Sequence, residues 1–381
     1  MLLACSDQGA PAGLEPPGGA AGMATGGGGM SGSQTGGAGT AAGSGGADAG
    51  ASSMSATAGL PSVAGTGGTT PEGAPLDPAL LAKCSGSSPI VCQLEAPNGN
   101  YDVTLDLGSD DAPGSSLAEA EVRHAFAPER ATAAGEHQLV HLTVNVRAEE
   151  HDGGQSAPGS ILDLTVAGQT PRLRGVGFRP APESITIFVA GDSTVCDWLG
   201  TNASAVSDDE MGWAQALAQF FAPGVAIANY ADSGETAGGF YGKFFPAARD
   251  AMKAGDYLFI QFGHNDQKNQ VDVAAYQDNV MKYVADARQR QVTPVLFTPV
   301  ARKSGSDFAG IDQQARELAQ AEQLALVDLT ALSSSYYATV ANRDALFVDG
   351  THLSSRGATE VASLVAQALK ASDLALKTFV K

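Results

Sequence analysis

"ITIFVAGDST", Ile185 to Thr194, is an apolar run of strand length that stops at Gly191-Asp192-Ser193-Thr194, small polar residues where a strand is expected to give way to a helix. Four more such runs follow: "VAIAN" (225–229), "YLFIQF" (257–262), "PVLFT" (294–298) and "LALVDL" (324–329). They alternate with longer amphipathic segments at roughly 211–221, 240–254, 273–291, 311–323 and 355–370. Near-continuous apolar strands separated by helices predict a parallel sheet covered on both faces. The expected fold class is α/β, a three-layer α/β/α sandwich of about five parallel strands over residues 183–381. In open α/β sheets, sites form outside the carboxyl ends of the strands. "GDST", "NYADSG" and "GHND", each following one of the first three strands, therefore gather at one sheet edge.

Upstream, the period changes to two. "YDVTLDL" puts Tyr101, Val103, Leu105 and Leu107 on one side, and "VHLTVNV" does the same with Val140, Leu142, Val144 and Val146. With "ILDLTVAG" and "RLRGVGF", this predicts a small antiparallel β-sandwich accessory domain over 77–182. Residues 6–76 are nearly all Gly, Ala, Ser, Thr and Pro, and the first Lys, Arg or His is Lys83. Such a segment has too little apolar surface to offset its ordering entropy, so it reads as a disordered linker. As a Gly-rich coil of about 65 residues it spans roughly 45 Å r.m.s..

Residues 1–5 end in Leu2-Leu3-Ala4-Cys5, which matches the last part of a lipoprotein signal, although no basic or apolar region precedes it. A lipid anchor through Cys5 would make the chain an exported, cell-surface or outer-membrane lipoprotein; without it, secretion is expected. The spacing of Cys84 and Cys92 favours a small disulfide loop in an exported protein, leaving Cys196 as a lone buried thiol. The net charge is −19, and only four acids, Asp7, Glu15, Asp48 and Glu72, fall before Pro75, which leaves −15 on the rest. So acidic a surface argues against nucleic-acid and anionic-membrane partners.

Ser193 can cap a helix or attack a carbonyl; to attack, it needs a base, and the base needs an orienting partner. Past residue 182 only His264 and His352 remain. His352 stands in "VDGTHLSSRG", three residues after Asp349, a spacing that lets the acid hold the imidazole tautomer. Acyl transfer also needs donors for the oxygen that becomes negative. Gly234 in "DSGET" can expose its N–H, and Asn265 in "FGHND" can offer its amide. The rival reading is a metal hydrolase built on His264, Asp266, Asp349 and His352. A second is a non-catalytic carbohydrate-binding lipoprotein. His124, His137, His141 and His151 lack ligand spacing and are expected on strand faces or in loops.

The blocks "GDST", "SGET", "GHND" and "DGTH" resemble those of the SGNH (GDSL-type) hydrolases. "GDSTVCD", "NYADSGETAGGF", "YLFIQFGHNDQK" and "DGTHLSSRGA" are similar to bacterial rhamnogalacturonan acetylesterases of the twelfth carbohydrate esterase family, over about 97–372. The resemblance implies a flavodoxin-like SGNH fold, with Ser193 as nucleophile, Gly234 and Asn265 as oxyanion donors beside the Ser193 N–H, and Asp349 and His352 completing the triad. It also implies acetate removal from a plant cell-wall polysaccharide such as acetylated rhamnogalacturonan or xylan, with no cofactor; a monomer is expected. The family glycine is usually followed by Arg-Ser, but here Glu235-Thr236 follow, which bears on recognition of uronic carboxylates. Trp198 could be a sugar platform or a core residue.

Overall fold

The computed structural model describes residues 73–147, 161–198, 210–305 and 307–381. The expectations for Cys5, His151 and residues 6–72 lie outside them. After a short helix α1 (Pro78–Leu81), the alternating region forms β1 (Cys84–Ser85), β2 (Ile90–Glu95), β3 (Gly99–Gly108), β4 (Gly114–Ala120), β5 (His124–Thr132), β6 (His137–Val146), β7 (Ile161–Thr170) and β8 (Leu173–Pro180). They pair as two antiparallel sheets, β1-β2-β7-β4-β5 and β6-β3-β8. The two apolar rows meet in register: Tyr101 faces Val144, Val103 faces Leu142 and Leu105 faces Val140. All six are buried. Cys84 is opposite Cys92, and the two are joined by a disulfide. Cys196 is also disulfide-bonded and no cysteine among the described residues is free, which corrects the lone thiol expected for it.

The parallel sheet comprises β9 (Ile185–Gly191), β10 (Val225–Asn229), β11 (Tyr257–Gln261), β12 (Thr293–Phe297) and β13 (Ala325–Val327), in the order β10-β9-β11-β12-β13. Because successive side chains point to opposite faces, each strand serves two cores. Ile187, Val189, Phe259, Val295 and Phe297 enter one; Phe188, Ala190, Leu258, Ile260 and Leu296 enter the other. Around them lie α2 (Ala237–Lys243), α3 (Phe245–Ala251), α4 (His264–Lys268), α5 (Val273–Gln289), α6 (Ile311–Ala321), α7 (Leu329–Thr339) and α8 (Ser355–Ala371). Phe240 of α2, Phe245 of α3, Tyr283 of α5 and Leu318 of α6 cover the second face; Tyr337 of α7 and Val361 and Val365 of α8 join the first. That first core runs on into Leu105, Leu142 and Leu164 of the antiparallel sheets. No helix among the described residues is long and apolar enough to cross a membrane.

The strands and the helices at 273–291, 311–323 and 355–370 lie where periodicity predicts them, and three other segments differ. Residues 211–221 form turns and one short 3₁₀ segment, Ala218–Phe220, instead of a helix. Besides local turn bonds such as Gln215 N–H to Gly212 O, their backbone bonds outward, Met211 N–H to Leu353 O and Trp213 N–H to Thr194 O. A side chain at Gly212 would come within 2.1 Å of Cys196 O, so this segment is wedged against the Ser193 loop. The helix expected at 240–254 is two, α2 and α3, with Pro246, which has no N–H to donate, in the first turn of the second. α7 was not anticipated because "LTALSSSYYAT" has little helical periodicity; Asp328 caps it by accepting from Ala331 N–H at 3.3 Å.

Candidate active site

Because β9 and β11 run parallel, the residues that follow them emerge at the same edge. The turn after β9 is closed by Asp192, whose Oδ1 accepts from Thr194 N–H (3.0 Å) and Oγ1–H (2.7 Å). The turn is also tight, since a Cβ on Gly191 would lie 2.9 Å from Val195 Cβ. This presents Ser193 Oγ 2.9 Å from His352 Nε2. On the far side of the ring, His352 Nδ1 is 2.8 Å from Asp349 Oδ2. Asp349 Oδ1 accepts from the N–H groups of Thr351 (2.6 Å) and His352 (2.7 Å). Burial pushes the Asp349 carboxyl up, but those N–H donors and the imidazole outweigh it and hold it below the usual carboxylate range. An ionised Asp349 fixes the proton on Nδ1 and leaves Nε2 to accept from the serine hydroxyl.

A cavity of about 480 Å³ opens beside this chain, lined by Ser193, His264, Asn265, Gln267, Lys268, Arg302, Thr351 and His352. Asn265 Nδ2 donates to Glu235 O at 3.0 Å, which fixes the amide plane and leaves its second N–H available. The N–H groups of Ser193 and Gly234 make no hydrogen bond among the described residues. Gly234 does not line the cavity; it has φ +80°, a left-handed turn that favours glycine, just before α2. The four residues of the metal alternative divide into separate arrangements. His264 bridges Asp192 Oδ2 (3.2 Å) and Val300 O (3.0 Å), Asp266 accepts from Ala237 N–H (3.1 Å), and His352 pairs with Asp349.

A model of the GDSL-like lipase/acylhydrolase family matches residues 189–359. Over 220 residues, 51% of this chain and 93% of the relative, the sequence is 31% identical to the rhamnogalacturonan acetylesterase RhgT of Bacillus subtilis. The chain belongs to the GDSL-like lipase/acylhydrolase family. This hydrolase is also 26% identical over 303 residues, 74% of each chain, to the uncharacterized esterase YxiM of Bacillus subtilis. The crystal structure of YxiM covers 75% of the hydrolase and 81% of its own chain, with 25% identity and a TM-score of 0.48.

Around Ser193 and His352 lie further residues, most of which no sequence pattern singles out. Trp198 is a packing residue: its ring is buried, meets the edge of His352 at 5.8 Å between centroids, and donates Nε1–H to Ser193 O at 2.9 Å. His124 and Arg147, from the antiparallel region, reach Asp197 Oδ2 at 2.9 and 3.5 Å. Asn229 Nδ2 donates to Asp197 Oδ1 at 2.6 Å. Arg123 donates to Trp198 O at 3.3 Å and to Glu210 O at 3.0 Å. Of these, Trp198, which the sequence leaves open as sugar platform or core residue, is buried, and His124 lies on a strand as expected; motif position could have flagged Asp197, which shares a loop with Ser193, while nothing local flags the contacts of His124, Arg123 or Arg147.

Asp266 carries a pH signature. Burial is the main cause that raises its carboxyl to about 7, aided by the nearby Asp192 charge and opposed by the Ala237 N–H. Glu119 is likewise raised by burial to about 7, against the pull of Arg123 and His124. A folded-state value above the unfolded one means the native state holds extra protons, so the contribution of these two groups is full below about pH 4 and falls as pH rises toward 7. Asp266→Asn keeps an acceptor for Ala237 and never ionises. It should flatten the loss of urea stability between pH 5 and 7 by about 2 kcal/mol, with Glu119 supplying the remaining slope. An unchanged slope would mean that Asp266 is ionised throughout.

Proposed function

We propose that this enzyme removes O-acetyl groups from an acidic plant cell-wall polysaccharide, acetylated rhamnogalacturonan, through an acetyl-serine intermediate. The observation that carries the reaction is the chain Ser193 Oγ, His352, Asp349, with contacts of 2.9 and 2.8 Å, opening on a cavity that Asn265 lines. Ser193 Oγ attacks the acetyl carbonyl while its proton passes to His352 Nε2. The carbonyl electron pair moves to oxygen, which the Ser193 and Gly234 N–H groups and the Asn265 amide stabilise. Collapse expels the sugar hydroxyl, which takes the proton back from Nε2. Water, deprotonated by the same nitrogen, then releases acetate and restores Ser193.

Two features support an anionic glycan. Lys268 and Arg302 line the cavity and have no ion-pair partner within 4 Å among the described residues, in a chain of net charge −19. The similarity to RhgT, whose name specifies rhamnogalacturonan, points the same way. The test is acetate release from acetylated rhamnogalacturonan, acetylated xylan and an aryl acetate by wild type and Ser193→Ala. Pectic release lost in the variant supports the proposal; release from xylan or the aryl ester alone overturns the substrate. Asn265→Ala should lower kcat by about 10²–10³, the usual size for one oxyanion donor. If kcat stays within about threefold, Asn265 is not in the hole.

A further inference from the structure

The reaction above uses one carboxylate behind His352, yet two face that side of the ring. Glu210 Oε1 lies 3.5 Å from Nδ1, the atom that Asp349 Oδ2 contacts at 2.8 Å. The nearer acid is the more exposed, with the Asp349 side chain 53% accessible and that of Glu210 26%. Glu210 Oε1 itself is withdrawn from solvent. A charge in that position is less screened by water, which offsets its longer distance. Nor is the placement loose. Glu210 pairs with Ser354 in an antiparallel bridge, Met211 N–H donates to Leu353 O at 3.1 Å, and buried Arg123 donates to Glu210 O at 3.0 Å and to Ser355 Oγ at 3.3 Å. The backbone that carries Glu210 is thus tied directly to the residues that follow His352.

We propose that Glu210 is a positioning residue of the reaction, a second carboxylate that shares with Asp349 the task of orienting His352 and stabilising its imidazolium. The inference rests on the reading of Ser193 as nucleophile. When the Ser193 proton reaches Nε2, the new positive charge lies between two anions; Nδ1 keeps its own proton and neither carboxylate takes it. With Asp349 removed, a small turn of the ring brings Nδ1–H onto Glu210. A lone orienting acid in a serine triad is worth about 10⁴ in kcat, so a partner able to stand in for it should reduce that loss markedly.

The experiment compares full-length wild type with Glu210→Gln, Asp349→Ala, the double variant and His352→Ala. It measures kcat and KM on an aryl acetate and the rate of Ser193 modification by a fluorophosphonate. Glu210→Gln should lower kcat about three- to tenfold at unchanged KM. Asp349→Ala should lose about 10², and the double variant about 10⁴ or more, exceeding the product of the single losses. In the Asp349→Ala background, Glu210→Asp should recover rate that Glu210→Gln does not, a charge-dependent rescue that packing alone would not produce. If Asp349→Ala already falls to the level of His352→Ala, or Glu210→Gln changes nothing in its background, the inference is overturned. A wild type inert to both reagents would overturn the serine-esterase reading, and this inference with it.

Discussion

Replacing Ser193 with alanine is expected to lower kcat by about 10⁴–10⁶ while leaving the fold intact. The size follows from the role proposed for the hydroxyl: if Ser193 is the nucleophile, no acyl-enzyme forms without Oγ, and only the proposed oxyanion donors and binding contacts would remain to accelerate attack by water. The fold should survive because among the described residues Oγ makes a single hydrogen bond, 2.9 Å to His352, while the turn is held by Asp192 and the Ser193 carbonyl is held by Trp198. An unchanged thermal midpoint with no acetate release is therefore the expected pair of measurements. Activity within tenfold of wild type would remove Ser193 from the mechanism.

The largest expected change in stability comes four residues further on. Asp197 is buried with His124, their side chains 1% and 3% accessible, and also faces the Arg147 guanidinium, which donates to Asn229 O. Burial pushes the Asp197 carboxyl up, but His124, Arg147 and the Asn229 amide hold it below the usual carboxylate range. Its contribution is thus present above the unfolded-state value near pH 4 and is lost as pH falls through the lower folded one. Asp197→Ala removes the carboxylate that His124, the Arg147 guanidinium and the Asn229 amide share, leaving buried positive charge uncompensated, and breaking a buried pair from one side costs about 3–5 kcal/mol. Urea denaturation should read that loss, whereas Glu322→Ala at the more exposed Arg288 pair should cost under about 1 kcal/mol. If Asp197→Ala behaves like Glu322→Ala, the cluster is not buried in solution.

Asp197 also marks where reading the sequence stops. Apolar runs at 185–190 and 257–262 determined parallel strands, because a strand buried on both faces must be apolar at nearly every position. Parallel strands in turn determined that "GDST" and "GHND" share an edge, and the Asp349-x-x-His352 spacing contained its own acid–base pair. Each inference needed only local pattern plus a rule of topology. The helix at 211–221 failed because its apolar spacing records burial, and that burial is met by wedging against the Ser193 loop instead of by coiling. The Asp197–His124 contact joins residues 73 positions apart, and Arg123 and Ser355 are 232 apart. A buried charge leaves no periodicity, and its partner is specified only when two separately folded segments pack. The parallel strands and the pairing of Asp349 with His352 were therefore written in the chain, while the strand order, the clamp from the antiparallel region and the second carboxylate at His352 were decided by tertiary packing, since distance in space, unlike period, is not a property of any short stretch.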